Sequence, residues 1–290
     1  MRDDIASLRT LLRHERGVII PGAANALAAR IIADLGFKAI YLTGAGVTNT
    51  HLGLPDLSFV DLSQLAQHTM TIRNITNLPI IVDADTGFGN AINVTHTVRV
   101  LESAGASAIQ IEDQLFPKRC GHFDGQELVS VAEMTTKIAA AVEARRSEIV
   151  VIARTDARSA EGFDSAIARA MRYIEAGADM TFVEAPRTVE EMRQIPRQLS
   201  VPQMLNLVVG GKTPVIDHKQ AGEMGFSLVL YANVALQAAI KGMQAALGSL
   251  RDNGIVSESD QLTAAFAERQ RLVDKEYFDA LGRRLAGQED

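Results

Sequence analysis

The chain has a single cysteine, no tryptophan, no excess of basic residues and no long apolar run, and each absence excludes a class of protein. Cys120 alone cannot close an internal disulfide, so a disulfide-stapled scaffold is excluded. One cysteine beside nine methionines reads as the composition of a reducing, cytoplasmic compartment. Lysine and arginine number 29 against 35 aspartates and glutamates, a net charge of −6. That leaves no basic footprint for a phosphate backbone, and nucleic acid is not expected as a partner. Nowhere do about 18 apolar residues run uninterrupted; even the stretch from Phe226 to Leu247 is broken by Asn233, Gln237, Lys241 and Gln244. Residues Met1 to Arg16 scatter charges among short apolar stretches, which is not the pattern of a secretion signal. A soluble protein with no membrane partner is expected. No Pro/Gly/Ser-rich linker divides the chain, so its 290 residues, 47% of them hydrophobic, are read as one domain.

Eight β-rich runs recur along it: GVIIP from Gly17, KAIYLTG from Lys38, LPIIVDAD from Leu78, SAIQIED from Ser107, EIVVIART from Glu148, DMTFVEA from Asp179, VPQMLNL from Val201 and FSLVLYA from Phe226. Each is nearly continuously apolar, as parallel strands buried on both faces require. Between them lie helical segments over Asn25–Leu35, Leu62–Ile75, Asn93–Ser103, Ala132–Arg145, Asp164–Glu175, Val189–Ile195 and Val234–Leu247. Gly36, Gly105, Gly177 and Gly225 stand where a helix stops and a strand follows, the position that favours a left-handed residue. Eight such units in about 235 residues predict a closed (β/α)8 TIM-type barrel over residues 17–248 rather than an open sheet. Residues 249–290 are left over as a C-terminal helical extension. Its helical stretch from Ser257 to Leu285 spaces Leu262, Phe266, Val273, Tyr277 and Leu281 on one apolar face. That face must pack on its own barrel or on a partner subunit.

In such a barrel the active site gathers at the C-terminal ends of the strands. Those ends carry Thr43 with Gly44, Asp83 with Asp85, Glu112 with Asp113, Arg154 with Thr155 and Asp156, Glu184, Asn206, and Tyr231 with Asn233. Asp83 and Asp85 are two residues apart, so on an extended strand both point to one side, and Glu112 on the next strand could join them. Converging carboxylates repel unless a cation sits between them, and oxygen donors suit Mg2+ or Mn2+. GFGN lacks the third glycine of a dinucleotide fingerprint, and GGKT lacks the first glycine of a P-loop because that position is Asn206. In the loop after the fourth strand, Lys118, Arg119 and His122 surround Cys120. An electropositive setting of this kind favours a thiolate or a mobile acid on a closing loop.

These residues resemble the isocitrate lyase and phosphoenolpyruvate mutase superfamily from about Gly17 to Leu247. The likeness runs through YLTGAG, GLPD, DADTGFGN, IEDQ, KRCGH, ARTDA and the glutamate of FVEA. KRCGH is similar to the loop of the carbon-carbon lyase branch, which includes 2-methylisocitrate and dimethylmalate lyases. The resemblance implies an α/β barrel whose last helix is exchanged with a neighbour, as a homotetramer built from two such dimers, and so assigns the tail to a partner. It implies Mg2+ or Mn2+ held by Asp83 and Asp85, with Asp56 and Glu112 around them. Tyr41, Thr43, Gly44 and Ala45 would cradle a small anionic carboxylate substrate, with Gly121, Arg154 and Asn206 also binding it. Cys120 would protonate the carbanion left by carbon-carbon cleavage, with Arg119, His122 and Glu184 setting its environment.

One departure bears on the substrate. Where tricarboxylate lyases of this family hold an extra carboxylate with hydroxyl, amide and arginine groups, this chain has Asn206-Leu207-Val208-Val209-Gly210-Gly211 and Gln237. The expectation is therefore a 2-alkylmalate first and 2-methylisocitrate second. The competing readings are an oxaloacetate hydrolase or decarboxylase, a carbon-phosphorus mutase, disfavoured by Cys120, and a catalytically silent barrel, disfavoured by the joint presence of Asp83, Asp85, Cys120 and Arg154.

Overall fold

The computed structural model describes residues 2–119, 121 and 125–288. Eight strands, β1 (Val18–Ala23), β2 (Ile40–Leu42), β3 (Ile80–Asp83), β4 (Ala108–Glu112), β5 (Val150–Thr155), β6 (Met180–Val183), β7 (Gln203–Asn206) and β8 (Leu228–Tyr231), pair in parallel with their sequence neighbours, and β8 closes on β1. Every apolar run read from the sequence is a strand of this (β/α)8 barrel. The helices in chain order are α1 (Asp3–His14), α2 (Ala26–Asp34), α3 (Gly44–Val47), α4 (Leu62–Arg73), α5 (Ala91–Ala104), α6 (Val131–Ala144), α7 (Ala157–Ala160), α8 (Phe163–Glu175), α9 (Val189–Gln198), α10 (His218–Met224), α11 (Val234–Asn253), α12 (Phe266–Leu272) and α13 (Lys275–Leu285). The four junction glycines all have positive φ, between +78° and +111°. A side chain there would be strained, which is why the motif recurs.

Strand side chains alternate between two destinations. Ile20, Ile81, Val150, Ile152, Phe182, Met204 and Leu228 fill the barrel interior. The outward set packs under the helices, as Ile40, Val82, Ile109 and Val151 do with α4, α5 and α6. The helix α1, absent from the sequence reading, completes the interior: Leu8, Leu11 and Leu12 join the inner cluster. It sits at the N-terminal ends of the strands, where Arg9 donates to the carbonyls of Glu148 and Ile149 and Arg2 donates to that of Glu102. The plug leaves only the C-terminal mouth open.

The tail differs from the expected single stretch. α11 runs on to Asn253, past the anticipated barrel boundary, and Gly254 ends it with φ +71°. The chain then breaks at Asp274, with φ +54°, between α12 and α13. Phe266, Val273 and Tyr277 remain exposed. What ties the tail to its own barrel is ionic, Arg271 with Asp34 and Arg30 with Asp274, both reaching α2. No helix among the described residues is long and apolar enough to cross a membrane.

Because Leu8 is wholly buried against the interior cluster, Leu8→Ala is expected to cost about 2–4 kcal/mol. Chemical denaturation monitored by circular dichroism checks it; a loss below about 0.5 kcal/mol would show that the plug is not part of the cooperative core.

Candidate functional site

The open mouth holds a cavity of about 60 Å3 lined by Tyr41, Thr43, Ala45, Asp56, Asp83, Lys118, Gly121, Arg154, Phe182, Glu184, Asn206, Val208 and Asn233, among others. The residues expected at the strand ends thus meet in one place. Of those that do not line it, Gly44, Asp85, Glu112 and Asp156 contact residues that do, whereas Asp113 bonds Thr155 and Asp156 behind the wall.

The extended backbone of β3 stops at Asp83, and Asp85 takes a left-handed φ of +48°. The two carboxylates therefore do not align through strand alternation, as the spacing suggested. A turn brings them together instead, against the backbone of Gly44. The Gly44 amide lies 3.4 Å from Asp83 Oδ2, and a Cβ on Gly44 would stand 3.1 Å from Asp85 Oδ1. Tyr41 lines the wall, but its hydroxyl donates to Gln110 Oε1 at 2.7 Å, and Gln110 Nε2 donates to Asp83 Oδ1 at 3.1 Å. Burial, with Asp83 nearby, holds the Tyr41 phenol far above its ordinary pKa, so it remains a donor. Thr43 accepts from the Gly46 amide and donates to Asn233 Oδ1 at 3.3 Å.

Charge dominates the rest. Lys118 Nζ stands 2.6 Å from Asp56 Oδ1 and 3.0 Å from Asp85 Oδ1. Burial alone would lower its pKa, but Asp85, Glu112, Asp56 and Asp83 outweigh that and keep it protonated. Arg154 turns one edge, Nε and Nη2, to Asp156 at 2.9 Å each. Its guanidinium also lies 3.4 Å from Glu112 and 3.6 Å from Glu184. The Arg154 fork expected for a substrate carboxylate is thus already half engaged. Asn206 Nδ2 faces both Glu184 oxygens at 3.3 and 3.4 Å.

Six carboxylates, Asp56, Asp83, Asp85, Glu112, Asp156 and Glu184, consequently share two cations here among the described residues. The deficit registers as proton affinity. Burial, opposed by Lys118 but reinforced by Asp83 and Asp56, pushes Asp85 up to about 7. Glu112 is raised well above the usual carboxylate range, by burial first. Glu112 Oε1 is buried without a hydrogen-bond partner among the described residues. The expected metal set of Asp83, Asp85, Asp56 and Glu112 is not gathered into a cage: no group of three His, Cys, Asp or Glu among the described residues is placed to hold an ion. The physical reason is Lys118, interposed between Asp56 and Asp85, with Arg154 beside Glu112. The donor chemistry still fits a divalent cation, because an acidic, oxygen-only pocket short of positive charge favours one.

The described residues of the loop after β4 are anchored at this mouth, where Lys118 and Gly121 line the cavity. Gln114 bonds the amide and the carbonyl of Arg119, the Lys118 amide donates to Ser58 Oγ, and Gln126 Nε2 donates to the Gly121 carbonyl. Cys120 and His122 lie outside the described residues. Arg119, expected beside the thiol, is exposed and borders a separate hollow with Phe116, Pro117 and Gly125. Lys118, Gln110, Asp156 and Asn233 were not among the assigned site residues. Gln110 carried the clearest available signal, an amide in the middle of an apolar strand.

The comparisons with known proteins agree with one another. Residues 8–251 match the family model described as phosphoenolpyruvate phosphomutase. The chain is 43% identical to 2-methylisocitrate lyase of Aeropyrum pernix, over 95% of this chain and 86% of that one. It is 39% identical to 2,3-dimethylmalate lyase of Eubacterium barkeri, over 93% and 94%. Oxaloacetate acetylhydrolase, solved with 3,3-difluorooxalacetate, superposes with a TM-score of 0.91 at 34% identity over 99% of this chain and 98% of that one. Phosphonopyruvate hydrolase, solved with oxalate and Mg2+, gives 0.87 at 32% over 97% and 98%.

A Cβ at Gly121 would fall 2.5 Å from Arg154 Nη2 and 2.6 Å from Asp156 Oδ1. Gly121→Ala is therefore expected to hold the loop away from the cavity and lower kcat/KM by about 10²-fold, with little change in melting temperature. Steady-state kinetics beside thermal denaturation separate the two, and parent-like turnover would show that the loop need not close this far.

Proposed function

Because this chain belongs to the PEP mutase/isocitrate lyase superfamily, we propose that it is a carbon-carbon lyase cleaving a 2-hydroxy dicarboxylate of the 2-alkylmalate type, with 2-methylisocitrate as second candidate. The observation that carries the reading is the cavity, where Lys118 and Arg154 meet a set of buried carboxylates beside Gly121 of the loop after β4. The size of the substrate follows from one wall. Val208 lines it and Asn206 is committed to Glu184. A third carboxylate buried there would lack a partner, which is costly.

Asp83 and Asp85 would hold the divalent cation, Mg2+ or Mn2+, with Asp56 and Glu112 behind them. Bound there, it supplies positive charge that favours ionisation of a 2-hydroxyl and stabilises charge developing beside it. The guanidinium of Arg154, whose Nη1 lies 3.6 Å from Glu184, and the ammonium of Lys118 orient the carboxylates of the dianion. The hydroxyl proton passes to water, the electrons it leaves on oxygen become the carbonyl of a 2-oxo acid, and the C2–C3 pair passes to the departing carboxylate as an enediolate. Cys120 gives its proton to that carbon; its neighbour Gly121 lines the cavity, and Glu184 lies beside Gly121. A second reading, oxaloacetate hydrolysis, is supported by the likeness to oxaloacetate acetylhydrolase, whose TM-score of 0.91 equals that of 2,3-dimethylmalate lyase.

The test is turnover of dimethylmalate, 2-methylisocitrate, isocitrate, malate, oxaloacetate and phosphonopyruvate, with Mg2+ and with chelator. Cleavage of an alkylmalate that chelator abolishes is expected, and Cys120→Ser should lose roughly 10²- to 10⁴-fold. Turnover indifferent to chelator, or confined to a phosphonate, would overturn the reading.

We further propose a homotetramer of helix-exchanged dimers. The 20-residue α11 has no buried residue and exposes Ile240, Met243 and Leu247, an apolar stripe that a partner barrel would cover. Light scattering is expected to give four chains, and Met243→Glu with Leu247→Glu to give a smaller species; a monomeric parent at micromolar concentration would refute the assembly.

A further inference from the structure

Behind the cavity wall lies a buried cluster that the proposed chemistry does not use. Asp113, at the end of β4, is fully buried. Its Oδ1 accepts from the Asp156 amide at 2.9 Å, and its Oδ2 accepts from Thr155 Oγ1 and from Tyr173 Oη at 2.7 Å each. Arg169 Nη1 stands 3.5 Å from the same carboxylate, donates to the Tyr173 hydroxyl and also donates to the Val129 carbonyl. The other edge of Arg169 is paired with Glu161 at 2.7 and 2.9 Å. Two residues of one helix, α8, thus grip one carboxylate.

A buried carboxylate with no direct partner in the cavity is an expensive way to fill space, since apolar groups of similar volume usually serve as well. What this one secures is specific. Its bonds fall on Thr155 and Asp156, the two residues that follow Arg154, and Asp156 is the residue that engages Nε and Nη2 of Arg154. We propose that Asp113, held by Tyr173 and Arg169, is a positioning residue: it fixes the Asp156 backbone so that Asp156 sets the orientation of the Arg154 guanidinium, which lines the cavity, for an anionic substrate. This rests on the reading of Arg154 as an anion-binding group. The path runs from α8 through Asp113 and Asp156 to the guanidinium, and every link in it is a hydrogen bond at or below 2.9 Å.

Tyr173→Phe removes one hydroxyl and keeps the ring, so it tests the path with little disturbance of packing; Asp113→Asn is the stronger variant. The readout is oxalate affinity by calorimetry on Mg2+-supplemented full-length protein, without turnover, so it is independent of which substrate is cleaved. Tyr173→Phe is expected to weaken oxalate binding about three- to tenfold while moving the melting temperature by no more than about 2 °C. In an Arg154→Lys background the same substitution should have no further effect, because its influence passes through the guanidinium. An equal loss in both backgrounds would make the cluster merely structural and overturn the proposal, as would unchanged affinity in both Tyr173→Phe and Asp113→Asn. If Arg154→Lys alone bound oxalate as tightly as the parent, the anion-binding reading of Arg154 would fail and the proposal with it.

Discussion

Six carboxylates beside two cations among the described residues, held at the mouth of an apolar barrel, are the constraint on which the rest of this site depends. Like charges in a low-dielectric setting repel strongly. The chain answers with geometry. Lys118 bridges Asp56 and Asp85, Arg154 touches Asp156, Glu112 and Glu184, and Gln110 relays the Tyr41 hydroxyl to Asp83. Burial, only partly opposed by these cations, still pushes Asp85 and Glu112 upward. A structural barrel has no use for such a deficit.

The barrel supports this arrangement because its two ends differ. At the N-terminal end, Leu8, Leu11 and Leu12 close the interior with apolar packing. The polar strand side chains at that end, Thr181 and Gln203, pair with each other. At the C-terminal end the strands stop short, β2 at Leu42 and β3 at Asp83, and the polar residues that follow fold inward on turns. Cooperative stability thus resides in layers distant from the chemistry, and the mouth can hold repelling groups without endangering the fold.

Most of this architecture was legible in the sequence because it rests on local rules. Continuous apolar runs gave all eight strands, and the helix-glycine-strand junctions gave the repeat. The site was legible in so far as barrel topology alone puts Thr43, Asp83, Glu112, Arg154, Glu184 and Asn206 at one end. What escaped depended on non-local choices. Nothing local says that Asp85 takes a left-handed backbone, or that Lys118 crosses to Asp56, 62 positions earlier in the chain. The tail was misread as one helical stretch because apolar spacing persists across Val273 and Asp274, where the backbone nonetheless turns. The plug α1 was read only for its lack of a secretion signal, although Leu8, Leu11 and Leu12 stand at helical spacing.

Loop position and charge balance are a single variable in this molecule. Lys118 is one of only two cations among the described residues lining the cavity, and it belongs to the loop rather than to a strand. The Lys118 amide is bonded to Ser58 and its ammonium to Asp56, so two segments flanking the mouth are joined by the residue that offsets the carboxylates. The contacts that fix its backbone and those that use its charge thus fall on one short segment, so Asp56 takes part in anchoring the loop as well as in the charge balance of the cavity.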